Sequence, residues 1–331
     1  MSSTSATGAA APIFLFGMER SGTTMVSLLV GAHPLIAVPY PVAGLWYELA
    51  DRFAQNNQPL IEQDCRDLIT AVLSHQRISD WDVRLDFAAV EAQRRGQRFS
   101  DILAAVYQAY AAAKDKPRWA QMDIATIDHI AQVARWFPDA RFVHLVRDGR
   151  DVALSHQTMP YGAGNIRDCA LAWQQRMAVC RALGDLIGPE RFYHLRYEDL
   201  ILSLEPTLKD LCAFLNVDFS PRMLAYRETI DEKVPDDRLW LWPNLRQPPD
   251  PNKVARWKRE MRPAQRLVFE DIAGNALAAF GYEHLEHLPK SPRAELLGIY
   301  YQLLRGGRWR RLKMRLGIRS KTPLERGKIE G

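Results

Sequence analysis

Ile13-Phe14-Leu15-Phe16 is a run with no polar position, the pattern of a strand covered on both faces in a parallel sheet, and the segment Gly17-Met18-Glu19-Arg20-Ser21-Gly22-Thr23-Thr24 breaks it. Met25, Leu28, Leu29 and Ala32 then recur at i, i+3, i+4 and i+7 and predict an amphipathic helix ended by His33-Pro34. From about Gly44 to Lys116 the chain is rich in Ala, Leu, Gln and Arg, with helical spacing such as Ile102, Val106 and Tyr110, and predicts several helices. A second apolar run, Arg141 to Val146, precedes Arg147-Asp148-Gly149-Arg150-Asp151 and a new helical pattern; a third candidate strand, Phe192 to Tyr197, leads into a helix with Leu204, Leu208, Leu211 and Leu215. Strands alternating with helices predict an α/β fold: a P-loop-type parallel sheet flanked by helices, with helical insertions. Five prolines between Pro235 and Pro251, with Trp240 and Trp242 among them, predict an ordered lid or surface loop.

Composition narrows the class. The 331 residues are 47% hydrophobic and 25% charged, as in a globular chain able to bury a large core. The formal charge of +5 suggests an acidic partner until its distribution is read. Ten Lys/Arg against the single Glu325 fall between Arg305 and Lys328, so the remainder is net negative and gives no sign of nucleic-acid binding. In that tail Trp309, Leu312 and Leu316 share a helical face, which suits either peripheral contact with an anionic membrane or a helix docked on its own domain. Cys65, Cys169, Cys180 and Cys212 are too few for a disulfide scaffold and lack metal-site spacing, and no apolar run approaches a membrane span. The expectation is a cytoplasmic protein with a flexible N-terminus over 1–11, a catalytic domain over 12–290 and a basic helical tail over 291–331.

Gly17-xxxx-Gly22-Thr23-Thr24 between strand and helix offers backbone N–H groups and a helix N-terminus to a phosphate. A nucleoside-triphosphate loop of the Walker type wants Lys directly after the second Gly, where this chain has Thr23; the cation stands earlier, at Arg20. A guanidinium there can take bridging and terminal oxygens of a group in transfer.

Gly-x-x-Arg-Ser-Gly-Thr-Thr followed by a helix and His33-Pro34 resembles the 5′-phosphosulfate loop of sulfotransferases that use 3′-phosphoadenosine 5′-phosphosulfate (PAPS) and release 3′,5′-adenosine bisphosphate (PAP). Arg141 to Ser155 resembles that family's 3′-phosphate strand and helix, with Arg147 and Ser155 at the matching offset of eight residues. A permanent cation with a neutral hydroxyl suits a dianion remote from the reacting sulfur. Trp173 follows in a helix, Arg196-Tyr197-Glu198-Asp199-Leu200 is similar to the segment whose Tyr reaches the nucleotide, and Lys253, Arg256 and Trp257 are similar to the basic-Trp segment that closes over it. The resemblance runs from about Pro12 to Tyr282, is nearest to the bacterial and tyrosylprotein-type branch, and implies Arg20, Ser21, Gly22, Thr23, Thr24, Arg147, Ser155, Tyr197, Lys253, Arg256 and Trp257 as cofactor contacts, Arg20 also acting in catalysis, with no metal.

Two positions depart from that branch. The Glu expected seven or eight residues after His33 is replaced by Tyr40 and Pro41, and a Lys expected after Trp119 is replaced by Met122. Glu48, just downstream, is the first choice for the base that activates an acceptor hydroxyl on a carbohydrate, lipid or other small metabolite; Asp123, His156 and His75 are the alternatives. A P-loop kinase and a catalytically impaired nucleotide-binding homologue are the rival readings. Trp46, Tyr47, Trp240 and Trp242 are either acceptor-pocket or core aromatics, and His284-Leu285-Glu286-His287 reads as a solvated surface helix rather than a metal pair.

Overall fold

The computed structural model describes residues 11–159, 164–235, 239–240, 242 and 244–285. The basic tail with Trp309, Leu312 and Leu316, and the residues Glu286 and His287, lie outside the described residues. The chain forms two compact units: the first takes the chain up to Arg147 together with Arg176–Val254, the second takes Asp148–Gln175 and the chain from Ala255.

All of the described strands belong to the first unit. They are β1 (Ile13–Gly17), β2 (Ile36–Ala37), β3 (Arg118–Met122), β4 (Arg141–Val146) and β5 (Phe192–Arg196), paired in the order β2-β3-β1-β4-β5 with each pair parallel. Side chains alternate across the sheet. Ile13, Leu15, Ala120, Met122, Val143, Leu145 and Leu195 join a core with helix α1 (Thr23–Gly31) and the helix Leu204–Leu215. The opposite face is aromatic, with Phe14 5.9 Å from Trp119 and 5.7 Å from Phe142 between ring centroids.

The pattern of the sequence predicts β1, β4 and β5 but not β2 or β3. β2 is two residues long, and β3 reads Arg-Trp-Ala-Gln-Met, without a uniform apolar run. Its Arg118 is buried because Nη1 donates to the Leu215 carbonyl at 2.7 Å, and Arg141 donates to the neighbouring Phe214 carbonyl. Two cations from strand starts thus complete the C-terminal end of one helix, where the carbonyls and the dipole favour positive charge. Tyr197 opens the helix Tyr197–Leu202 instead of ending the third strand.

Between β2 and β3 stand helix α2 (Leu45–Phe53) and the helices Glu62–Leu73, Phe87–Gln93 and Phe99–Ala113, the expected helical insertion. Trp46 is a core residue: its indole N–H donates to the Tyr107 hydroxyl at 3.0 Å. In the proline-rich stretch Trp240 is 51% exposed, whereas Leu239, Trp242 and Leu245 pack against the core of the first unit.

The second unit contains the helices Gly149–Gln157, Trp257–Glu260 and Pro263–Ala279 and the first part of Ile166–Ile187. Trp173 packs against Phe269 and Tyr282 at its centre. His284 and Leu285 follow the last of these helices in irregular backbone, not in the helix the sequence suggests.

The centre of this unit also holds charge. Arg150, fully buried, engages both oxygens of Asp148 (3.0 and 2.7 Å), donates to Glu270 Oε1 at 2.6 Å and lies 3.5 Å from the ring centroid of Trp257. The Trp257 N–H donates to Asp151 Oδ1 at 2.8 Å. Arg266 lies on the same indole and pairs with Glu270 at 2.6 Å, so the cluster is charge-paired as a buried ion needs to be.

Candidate active site

The site starts at the C-terminal end of β1, the central strand, where a parallel sheet carries its ligands. A turn closed by the Ser21 N–H donating to the Met18 carbonyl (3.1 Å) leads into α1. Arg20 is left-handed with φ 71°, and Gly22, which caps α1, has φ 96°. Arg20 is therefore a non-glycine residue held where few such residues rest, a conformation that persists only when its surroundings fix it. Gly22 meets a second constraint, since a Cβ there would lie 2.7 Å from Cδ2 of Tyr197. Thr23 and Thr24 begin α1, whose first amides lack helical carbonyl partners and face the loop. Ser21, Thr23 and Thr24 are all buried.

Arg147, one residue beyond β4, ties the expected nucleotide contacts of the first unit together. Its Nη1 donates to the Arg20 carbonyl and its Nη2 to the Lys253 carbonyl, each at 3.0 Å, and its guanidinium lies 4.2 Å from the ring centroid of Tyr197. Three segments widely separated in the chain, the loop, the Tyr197 turn and Lys253, thus meet on one guanidinium. The planar fork makes this possible: one face stacks on the ring while the N–H groups reach two carbonyls.

In the second unit Ser155 stands buried on the helix Gly149–Gln157. Arg256 pairs with Glu260 at 2.6 Å, and Trp257 is 3% exposed beneath Arg150 and Arg266. Trp257 accordingly serves as the anchor of its segment, through contacts to Arg150 and Asp151 that a reading of spacing alone does not reveal.

The candidate bases differ sharply in access. Asp123 is fully buried at the end of β3: its Oδ2 accepts from the Gly44 N–H at 2.8 Å and its Oδ1 from the Ala125 N–H at 3.0 Å. Burial pushes its carboxyl above the usual range, with the two backbone donors opposing. The residue ties the start of α2 to the end of β3 rather than facing an acceptor. His75 uses Nδ1 to accept from the Arg77 N–H at 3.2 Å and so caps a short helix, while His156 is buried in the second unit. Glu48 is exposed in the first turn of α2. Tyr47, next to it, turns inward: its hydroxyl bonds Thr126 Oγ1 at 2.7 Å, its ring stacks on His129 at 4.0 Å, and burial pushes its phenol upward. Met122 lies in the apolar core with α1.

Comparison with known proteins bears on the family and the fold. Residues 12–221 match the model of the sulfotransferase family. A protein-tyrosine sulfotransferase of Drosophila melanogaster is 23% identical over 227 residues, which cover 66% of this chain and 41% of that protein. Protein-tyrosine sulfotransferase 2 of Gallus gallus is 26% identical over 229 residues, covering 66% of this chain and 54% of that one. The chain thus spans about half the length of these curated relatives.

Two solved structures share the fold. The sulfotransferase domain of the Synechococcus olefin synthase has TM-score 0.56 and 20% identity, covering 86% of this chain and 98% of that domain. The sulfotransferase domain of the curacin biosynthetic pathway has TM-score 0.58 and 18% identity, covering 83% and 99%. With a family match over residues 12–221 and a phosphate-type loop at the central strand of the matching fold, the chain belongs to the sulfotransferase family.

Proposed function

We propose that the protein moves a sulfuryl group from PAPS to an acceptor hydroxyl by in-line displacement. The observation that carries this reading is Arg147, whose guanidinium joins the Arg20 carbonyl, the Tyr197 ring and the Lys253 carbonyl. The chemistry of the donor set supports a nucleotide: the turn before α1 has the shape of an anion cradle, with the buried hydroxyls of Ser21, Thr23 and Thr24 next to Arg20 in the chain. PAPS would supply the sulfuryl group on a phosphate leaving group. Backbone N–H groups from Gly22 to Thr24 would hold the 5′ anionic end, and Arg20 and Thr24 would stabilise charge that develops on the transferred and leaving oxygens. Tyr197 and Arg147 orient the nucleotide, and orientation of this kind is a major source of rate.

Glu48 is the base we assign to the acceptor proton, because among the four candidates it is the exposed carboxylate. The acceptor class, a hydroxyl on a carbohydrate, lipid or other small metabolite, is carried by the resemblance rather than by the geometry.

Calorimetric titration with PAP, set against ATP with magnesium, tests the proposal on the wild type and Arg147→Ala. Binding of PAP that the variant loses supports it. Binding of ATP with magnesium alone overturns it in favour of a kinase. Binding of PAP without turnover on any hydroxyl acceptor would fit the impaired homologue, a reading that Tyr40, Pro41 and Met122 favour.

A further inference from the structure

Arg176, in the part of the helix Ile166–Ile187 that belongs to the first unit, reaches two carboxylates on different segments. Its Nη1 lies 3.1 Å from Glu19 Oε2, while Nη2 and Nε donate to Asp128 Oδ2 and Oδ1 at 2.8 and 3.1 Å. Glu19 lies in the phosphate loop, directly before the left-handed Arg20. Asp128 ends the turn Ile124–Asp128 that follows β3 and packs on β1.

The position of Glu19 poses a physical problem. A carboxylate one residue from Arg20 can attract that guanidinium away from a ligand, and it adds a negative charge beside a site built for an anion. The bidentate grip of Asp128 fixes the plane of the Arg176 guanidinium, and an N–H of Nη1 then meets the Glu19 carboxylate. The loop is consequently gripped on both sides of its strained residue, at the Arg20 carbonyl by Arg147 and at the Glu19 side chain by Arg176.

We propose that Arg176 is a positioning residue for the anion site: oriented by Asp128, it holds and neutralises the Glu19 carboxylate, so that the loop presents Arg20 to the anionic end of its ligand. The assignment rests on the reading of the loop as the 5′-phosphosulfate site, and its test separates the two. Full-length wild type, Arg176→Gln, Arg176→Lys, Glu19→Gln and the double variant Glu19→Gln/Arg176→Gln are titrated with PAP, with melting temperatures measured in parallel.

Arg176→Gln should weaken PAP roughly tenfold, the scale of one uncompensated charge near a screened anion site. Arg176→Lys should recover part of that loss, and Glu19→Gln, which gives up the grip but leaves no uncompensated carboxylate, should weaken PAP by no more than about threefold. The double variant should return to within about threefold of wild type, because the charge that Arg176 offsets is gone. A loss of PAP affinity that only follows the melting temperature across these variants is a loss of stability and overturns the proposal. Arg176→Gln binding as tightly as wild type, or a double variant as weak as Arg176→Gln, overturns the proposal. If the wild type binds inorganic pyrophosphate but not PAP, the sulfuryl-transfer reading fails while this one stands, and the same variants are then read with pyrophosphate. Wild type that binds neither overturns both.

Discussion

The ring of Tyr197 occupies the space a side chain on Gly22 would need, with Cδ2 2.7 Å from where a Cβ would stand. The loop and the turn after β5 are therefore fitted to each other as backbone against ring, and Arg147 lies 4.2 Å from the centroid of the same ring.

Gly22→Ala meets two penalties at once: a left-handed φ of 96°, which disfavours Ala by about 1–2 kcal/mol, and the collision with Tyr197. The variant should melt earlier and bind PAP at least tenfold more weakly. Adding Tyr197→Ala removes the collision but leaves the backbone penalty, so a melting curve of the double variant should show no further destabilisation from Gly22→Ala beyond that penalty.

Glu48→Gln should lower kcat by about 10²–10⁴-fold with little change in PAP affinity. Asp123→Asn should instead show its effect mainly in thermal stability, since both Asp123 oxygens accept backbone N–H groups. Steady-state kcat values set against melting temperatures distinguish the two roles.

Arg150→Met removes the cation that pairs with Asp148 and Glu270 in the centre of the second unit. Breaking a buried pair from one side destabilises by about 3–5 kcal/mol, although Arg266 remains beside Glu270 and softens the effect. Arg150→Lys should recover little, because it lacks the fork that holds Asp148 with two donors. Denaturant unfolding measures both.

Stability should fall as the pH drops below about 6.5, the ordinary histidine value. His144 and His194, on β4 and β5, share a contact of 2.9 Å between their Nδ1 atoms. Burial and the His194 charge hold His144 well below its ordinary value, and burial and Arg181 lower His194 against the opposing pull of Asp185. The unfolded chain takes up protons that the native pair refuses, so each such histidine removes up to about 1.4 kcal/mol per pH unit below that point, until its native value is reached. His33 shifts in the same direction through burial. Unfolding curves at pH 7.5 and 5.5 should differ in this sense, and less so in His144→Phe.

Sequence made the motif-bearing parts of this fold readable because they are locally encoded. Ile13 to Phe16 and Arg141 to Val146 are strands whose burial on both faces leaves a nearly unbroken apolar run, and the glycine-rich turn lies where the first one ends. β3 was hidden because Arg118 and Gln121 interrupt its apolar character, and the partner that makes Arg118 tolerable, the Leu215 carbonyl, is 97 residues away. The same distance problem hid Arg176, which reaches Glu19 across 157 residues. Trp257 was legible as a member of a basic-aromatic segment but not as the cover of a buried guanidinium, because nothing in its own stretch points to Arg150.

The central position of β1 governs when the site can come into being. Ile13 pairs with Ala120 on one side and with Arg141 on the other, so the strand that carries the loop has no hydrogen-bonded neighbour until more than a hundred further residues have been made. Arg147 still lacks its Lys253 contact at that stage. A chain emerging N-terminus first must therefore carry an unpaired apolar strand until β3 and β4 have been made, a topology that favours slow folding.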